Sequence, residues 1–341
     1  MAIVGFVRKI VLIGIFNAVG VWRYAFEAVW KRVYRRQLPV SLRTPETCFA
    51  SLPGYAFEPH YIEIEGFRVH YVDEGPRDAR ETIVCLHGEP TWSYLYRKII
   101  SPLASHGHRV IAPDFIGFGK SDKPSDPAFF THELHLRTVR EIFEALDLQN
   151  VTLVVQDWGG ITGLGALELI EDRIGRLVIL NTTIAPFGGR FLTRNQKLNF
   201  ILWRSLTFCF GQWLPIDYIM KQAIRGLPSS IAAAYSAPFP NKDFKVGPAK
   251  WPLMVPLYRG MSPSVVASSK SARGILQQWK KPALVMFSDK DPILAGAAAF
   301  FKKIIPGAQN VPSVVIKGAG HFLQEDKGEE IAQQIQDLLT Q

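Results

Sequence analysis

The 341-residue chain has only three cysteines, Cys48, Cys85 and Cys209, scattered and with no CxxC pair. That excludes a disulfide framework and leaves buried free thiols as the expectation. Metal-binding spacing is also missing. His132 and His135 stand in HELH, which is not the HExxH of a zinc site. The stretch GFGKS ends like a phosphate-binding loop, but Asp114 occupies the position where that loop needs glycine. No internal repeat or low-complexity tract appears, so a repeat array is excluded. No cofactor and no metal are expected. Most of the chain also lacks net charge. Of the formal +9, residues 1–43 carry +7, and the remaining residues only +2. Without a basic stripe on the body, nucleic acid is excluded as a partner. Apolar and charged contents of 48% and 20% are ordinary for a globular protein.

The N-terminal stretch RKIVLIGIFNAVGVWRYAFEAVWKRVYRR combines the positive charge with an apolar run. Residues 10–22 contain no charge, which is short for a span of roughly twenty residues. Extension to Trp30 admits Arg23 and Glu27, four apart and able to pair on one helical face. No small-x-small cleavage site follows, which argues against a signal peptide. A helix packed on the body is the plain alternative. We expect residues 1–37 to be a membrane anchor, spanning or lying in the interface. The flank Lys31, Arg32, Arg35 and Arg36 outweighs Arg8 and Lys9, which would put the body in the cytosol.

Beyond the anchor, YIEIEGFRVHYVDEG alternates apolar and polar residues around a Glu65–Gly66 turn, the pattern of a β-hairpin. Strands then alternate with helices: TIVCLHG, RVIAPD, VTLVVQ and RLVILN are apolar runs separated by amphipathic segments. Such a rhythm predicts an α/β fold with a mostly parallel sheet covered by helices on both faces. It stops near Asn181 and resumes at ALVMFSD, followed by SVVIKG and the helix GEEIAQQIQDLL. The interruption, rich in Trp, Phe and Pro and without clear strands, reads as an inserted helical cap. The expected division is an anchor over 1–37, an α/β core over 46–183 and 266–341, and a cap over 184–265.

In VVQDWGG a strand runs into a tight turn with Asp157 at the bend and Gly159 behind it. This is the position of the nucleophile elbow, small-x-nucleophile-x-Gly, although Val155 replaces the usual first small residue. Alone, an Asp before a helix reads equally well as an N-cap. His321, in GAGHFLQED, follows the last strand, and Asp291, in FSDKDPIL, follows the strand before it. Strand C-termini gather along one edge of a doubly wound sheet, where ligands bind. Acid, acid, His is also the chain order of α/β-hydrolase triads. His60, His70, His106 and His108 are expected on the surface. After the strand TIVCL, the turn HGEPTW offers the backbone N–H of Glu89, which with that of Trp158 would form an oxyanion hole.

The blocks HGEPTWSYLYR, APDFIGFGKSDKP, VVQDWGG and GAGHFLQE together resemble the haloalkane dehalogenases, in the subfamily with an Asp-His-Asp triad. The resemblance runs from about residue 46 to the end. It implies the α/β-hydrolase fold with a helical cap, and a halide held by two tryptophan N–H groups. One follows the nucleophile and corresponds to Trp158. The other comes from the cap and corresponds to Trp203, in FILWRSL. The implied partners are a small apolar halogenated substrate, water and the halide ion.

The chemistry suits a carboxylate. Asp157 would displace halide from carbon without base assistance and form an alkyl ester. His321, oriented by Asp291, would then activate water to hydrolyse it. A serine in that place would give an ether that water does not cleave. An epoxide hydrolase with the same nucleophile is the alternative. It needs a proton donor for the alkoxide, for which Tyr218 and Tyr235 are the cap candidates. A luciferase-like oxygenase and a non-catalytic membrane protein are further readings.

Overall fold

The computed structural model describes residues 2–33, 40–184, 193–256 and 260–340. Eight strands make the main sheet: β1 (His60–Ile64), β2 (Phe67–Glu74), β3 (Thr82–Leu86), β4 (Arg109–Pro113), β5 (Val151–Val155), β6 (Ile174–Leu180), β7 (Ala283–Ser288) and β8 (Val314–Ile316). Their spatial order is β8-β7-β6-β5-β3-β4-β2-β1. The β1–β2 hairpin is antiparallel and turns through Glu65 and Gly66, both at positive φ. Strand β2 also pairs antiparallel with β4, while every pair from β4 to β8 is parallel. The central strands β3 and β5 are apolar along almost their whole length because helices cover both faces.

The main helices are α1 (Ala2–Val33), α2 (Arg97–Ser105), α3 (His132–Ala145), α4 (Trp158–Gly165), α5 (Arg194–Phe210), α6 (Ile216–Ala223), α7 (Ser229–Ser236), α8 (Pro263–Gln278), α9 (Ala297–Ile304) and α10 (Leu323–Leu339). No strand interrupts the described residues between β6 and β7. Helix α8 packs against α4, beside the sheet, so the 265/266 boundary read from the sequence falls within an element of the core side.

Helix α1 does not stand alone. It lies along α5, with Lys9 Nζ donating to Asn199 Oδ1 at 2.6 Å. Tyr24 stacks on Phe208 at 5.0 Å, and a side chain at Gly20 would collide with that same Phe208 ring. Arg23 donates to the Phe208 carbonyl oxygen and lies over the Tyr24 ring. Of the basic flank, Arg35 and Arg36 lie outside the described residues.

Two expectations change. His70 is buried, not superficial, and its Nδ1 is 2.7 Å from Asp114 Oδ2. Cys48 is only partly buried, whereas Cys85 and Cys209 are buried. The GFGKS turn folds around a carboxylate of its own chain. Asp114 accepts from the backbone N–H groups of Ser93 and Lys120, and a side chain at Gly119 would collide with it. Together with His70, these donors keep Asp114 ionised, well below the usual carboxylate range despite complete burial.

Candidate active site

Strand β5 ends at Val155 and α4 begins at Trp158, which leaves two residues to reverse the chain. Asp157 makes the turn at φ 50°, ψ −125°. A non-glycine residue there costs on the order of 1–3 kcal/mol, so surrounding contacts must hold it. Its N–H donates to the Asn181 carbonyl at 3.0 Å, and its own carbonyl accepts from Thr182 Oγ1 at 2.6 Å. The turn is also tight enough that a side chain at Gly159 would meet the Leu86 carbonyl, and one at Gly88 would meet Asp157 itself. The strain pushes the carboxylate out over the C-terminal edge of the sheet.

The Asp157 carboxylate meets different partners at its two oxygens. Oδ1 accepts the backbone N–H of Glu89 at 2.8 Å. Oδ2 lies 3.3 Å from His321 Nε2. No hydrogen bond from the Trp158 backbone N–H to this carboxylate occurs among the described residues. On the far side of the ring, His321 Nδ1 donates to Asp291 Oδ2 at 3.0 Å. Asp291 is held in turn, because its Oδ1 accepts from the N–H groups of Ile293 and Leu294. Thus three residues separated by up to 164 positions in sequence form one contiguous chain, Asp157–His321–Asp291.

The electrostatics follow from that chain. Burial alone would strip the proton from His321, but Asp291 and Asp157 outweigh it and raise the imidazole to about 10. Burial would likewise raise Asp291, yet the His321 charge and hydrogen bonds hold it below the usual range. Glu89 is compensated less. Its side chain is buried, Oε1 has no hydrogen-bond partner, and Asp157 stands nearby, so its carboxyl is pushed well above the usual range against the smaller opposing pull of His321.

The carboxylate opens into a cavity of about 170 Å³ lined by Trp158, Trp203, Phe200, Ile219 and Leu294 among others, with Glu89 and His321 at its polar end. Both tryptophans expected to face a halide therefore border the same space as Asp157. The two cap tyrosines do not. Tyr235 is buried and donates to Glu325 Oε2 at 2.7 Å, inside a buried Arg97–Glu325 ion pair. Tyr218 is exposed, and neither residue lines the cavity. Among the described residues no tyrosine lines the cavity to protonate an alkoxide formed there.

Sequence reasoning passed over Asn181, at the end of β6. Its Nδ2 donates to Ser288 Oγ and to the carbonyls of Gly320 and His321, while its Oδ1 accepts the Ser288 N–H. The side-chain amide thus joins the strand before Asp291 to the histidine loop, and the backbone carbonyl of the same residue holds the elbow. The asparagine closing RLVILN was the available signal. Gln156, directly before the nucleophile, also braces this loop by donating to the His321 carbonyl at 3.2 Å. His132 and His135 are spoken for structurally, by Ser268 and by the Trp251 N–H. Among the described residues no group of side chains is arranged to hold a metal.

A parallel sheet carrying an acid on its elbow, with a histidine and a second acid on the following loops, defines an α/β hydrolase with a carboxylate in place of serine. The α/β-hydrolase family profile matches residues 81–205. The haloalkane dehalogenase of Psychrobacter cryohalolentis is 41% identical over 298 residues, which is 85% of this chain and 95% of that protein. Haloalkane dehalogenase 1 of Mycobacterium tuberculosis is 43% identical over 301 residues, covering 86% and 97%. Among solved structures, the tetrameric haloalkane dehalogenase DpaA of Paraglaciecola agarilytica superposes with a TM-score of 0.77 at 37% identity, covering 86% of this chain and 97% of that one. The chain belongs to the haloalkane dehalogenase family.

Proposed function

We propose that the protein hydrolyses small apolar haloalkanes to an alcohol and a halide ion through an alkyl ester of Asp157. The observation that carries this reading is the asymmetric setting of the carboxylate, with Oδ1 on the Glu89 N–H and Oδ2 beside His321, facing an apolar cavity that contains Trp158 and Trp203.

In the first step Oδ2 attacks the halogen-bearing carbon. A C–O bond forms, the C–X bond breaks, and the electron pair leaves with the halide. Halide is a stable anion, so no acid is needed. It needs N–H donors in a space that excludes water, and the indoles of Trp158 and Trp203 supply them. In the second step, water gives a proton to His321 and adds to the carboxyl carbon of the ester. The tetrahedral adduct then collapses, the Cγ–Oδ2 bond breaks, and the alcohol leaves with the proton returned by His321. Charge develops in the adduct on Oδ1, which already accepts from Glu89; the Trp158 backbone N–H, not bonded to the resting carboxylate, would become the second donor as the tetrahedral centre forms. Alkylation removes the Asp157 charge that helped keep His321 protonated. The imidazole therefore becomes easier to deprotonate at the stage when a base is required. Asp291 remains to stabilise the imidazolium and hold its tautomer.

The cap comprises the described helices between β6 and α8, and the core the sheet and its flanking helices. Residues 1–37 associate the protein with a membrane, the body facing the cytosol as the basic flank favours. The direct test is release of halide and alcohol from 1-bromohexane by the purified full-length chain, with Asp157→Asn as the control. Equal release by both proteins would overturn the reading. An epoxide turned over in preference to the bromide would restore the epoxide hydrolase.

A further inference from the structure

Helix α1 has two faces with different fates. Lys9, Phe16, Gly20 and Arg23 turn toward α5, where Lys9 and Arg23 bond, Phe16 meets Phe210 and Gly20 fits against Phe208. Val11, Ile15, Val19, Trp22 and Phe26 recur at helical spacing on an adjoining face and are exposed, Trp22 at 79% and Phe26 at 65%. On the cap, Phe210, which meets Phe16, Trp213 and Tyr218 are exposed as well. Large apolar side chains exposed together along one helix face mark an interaction surface. Its aromatic content and the cationic residues at the start of α1 fit lipid at the level of the headgroups.

The same packing argues against a span. By length and composition the stretch Arg8–Phe26 could cross a bilayer. In a span, however, helix α5 would be drawn to bilayer depth beside α1, with Asn199 and Arg204 and the polar body attached. A helix lying in the plane of the surface avoids that cost.

The seat is coupled to the cavity. Asn199, which accepts from Lys9, donates to the Pro292 carbonyl at 2.9 Å, and Pro292 lines the cavity. Phe200 and Trp203, on the same helix α5, line it too. The helix that carries α1 is therefore a wall of the substrate chamber. We propose that α1 lies flat in the bilayer surface, with its outward face among the acyl chains. In that position the cap receives small apolar halocarbons from the lipid phase rather than from bulk water. The second half of this proposal rests on the dehalogenase reading.

The test uses the full-length chain and a variant carrying Val11→Gln, Ile15→Gln, Val19→Gln and Trp22→Gln, which leaves Lys9, Phe16, Gly20 and Arg23 in place against α5. Wild type should float with phosphatidylcholine vesicles, and more strongly when phosphatidylserine is included, while the variant stays behind. Flotation of both, or of neither, overturns the seat. A wild-type dimer that the variant lacks, with no vesicle binding, overturns it in favour of a second copy. A fluorophore on Ile15→Cys, in a Cys48→Ser background, should report a shallow position; a mid-bilayer position overturns the flat orientation. With excess vesicles the variant should lose about tenfold in turnover of lipid-soluble 1-bromohexane relative to wild type. Both proteins should turn over water-soluble 2-bromoethanol equally. Equal turnover of 1-bromohexane by the two proteins, or an equal loss in the variant on both substrates, overturns loading from lipid. Failure of both proteins on both substrates overturns the dehalogenase reading, while flotation still reports on the membrane seat.

Discussion

Replacement of His321 by phenylalanine separates the two chemical steps. The ring keeps much of the volume between Asp157 and Asp291 but has no nitrogen 3.3 Å from Oδ2 or 3.0 Å from Asp291. Attack by Asp157 on carbon needs no proton transfer, and its Oδ1 retains the Glu89 N–H. Alkylation should therefore persist. Loss of the imidazolium beside Oδ2 removes a charge that lowers the nucleophile's reactivity, so the halide burst should change by no more than about tenfold, or about 1.4 kcal/mol. Hydrolysis loses its base, a contribution of roughly 10²–10⁴. Without Asp291's partner to relay the proton, nothing else in the described cavity replaces it. Incubation with 1-bromohexane should release one equivalent of bromide per active site and then stall. Intact mass should rise by about 84 Da, a hexyl group in place of a proton, and peptide mapping should put it on Asp157. Repeated turnover, or an unlabelled Asp157 after bromide release, would refute the two-step ester route.

Trp158→Phe or Trp203→Phe keeps an aromatic ring and deletes an N–H; each should cost about 3 kcal/mol in kcat/KM, near 10²-fold, by analogy with the loss of an oxyanion-hole donor. Bromide should also quench tryptophan fluorescence less in either variant, and unchanged kinetics in Trp203→Phe would remove it from the halide site. Asn181→Leu strands the Ser288 N–H, while the His321 carbonyl keeps the Gln156 amide, so unfolding free energy should fall by about 1–3 kcal/mol in urea denaturation. Stability should also track His321. Its folded value, raised to about 10, lies above the unfolded 6.5, so its contribution is full below 6.5 and disappears as pH rises through about 10. In Asp157→Asn one of the two raising charges is gone, so the Tm decline should still begin near 6.5 but be smaller and end at lower pH; an identical profile would show that the carboxylate does not sustain the imidazolium.

The sheet and the positions of its loops were legible because each depends on short-range pattern. Apolar runs such as VTLVV must be strands buried on both faces, and the loops after them must gather at one edge. Asp157, His321 and Asp291 could thus be placed at a common edge before any distance was known. The hairpin turn at Glu65–Gly66 was equally local, set by residues that tolerate positive φ. What sequence left undecided depends on contacts between distant segments. His70 looked superficial in an alternating strand, yet the turn holding Asp114 folds over it. Tyr218 and Tyr235 were equivalent candidates by position. Packing turned one outward and tied the other to Glu325. Asn181 gained its role only when the strand before Asp291 and the histidine loop met around its amide. For α1, composition allowed a span, an interfacial helix or a helix on the body. Its groove at Gly20 and its bonds to α5 decided where it packs, because complementarity between helices is a property of two surfaces, and hydropathy records only one.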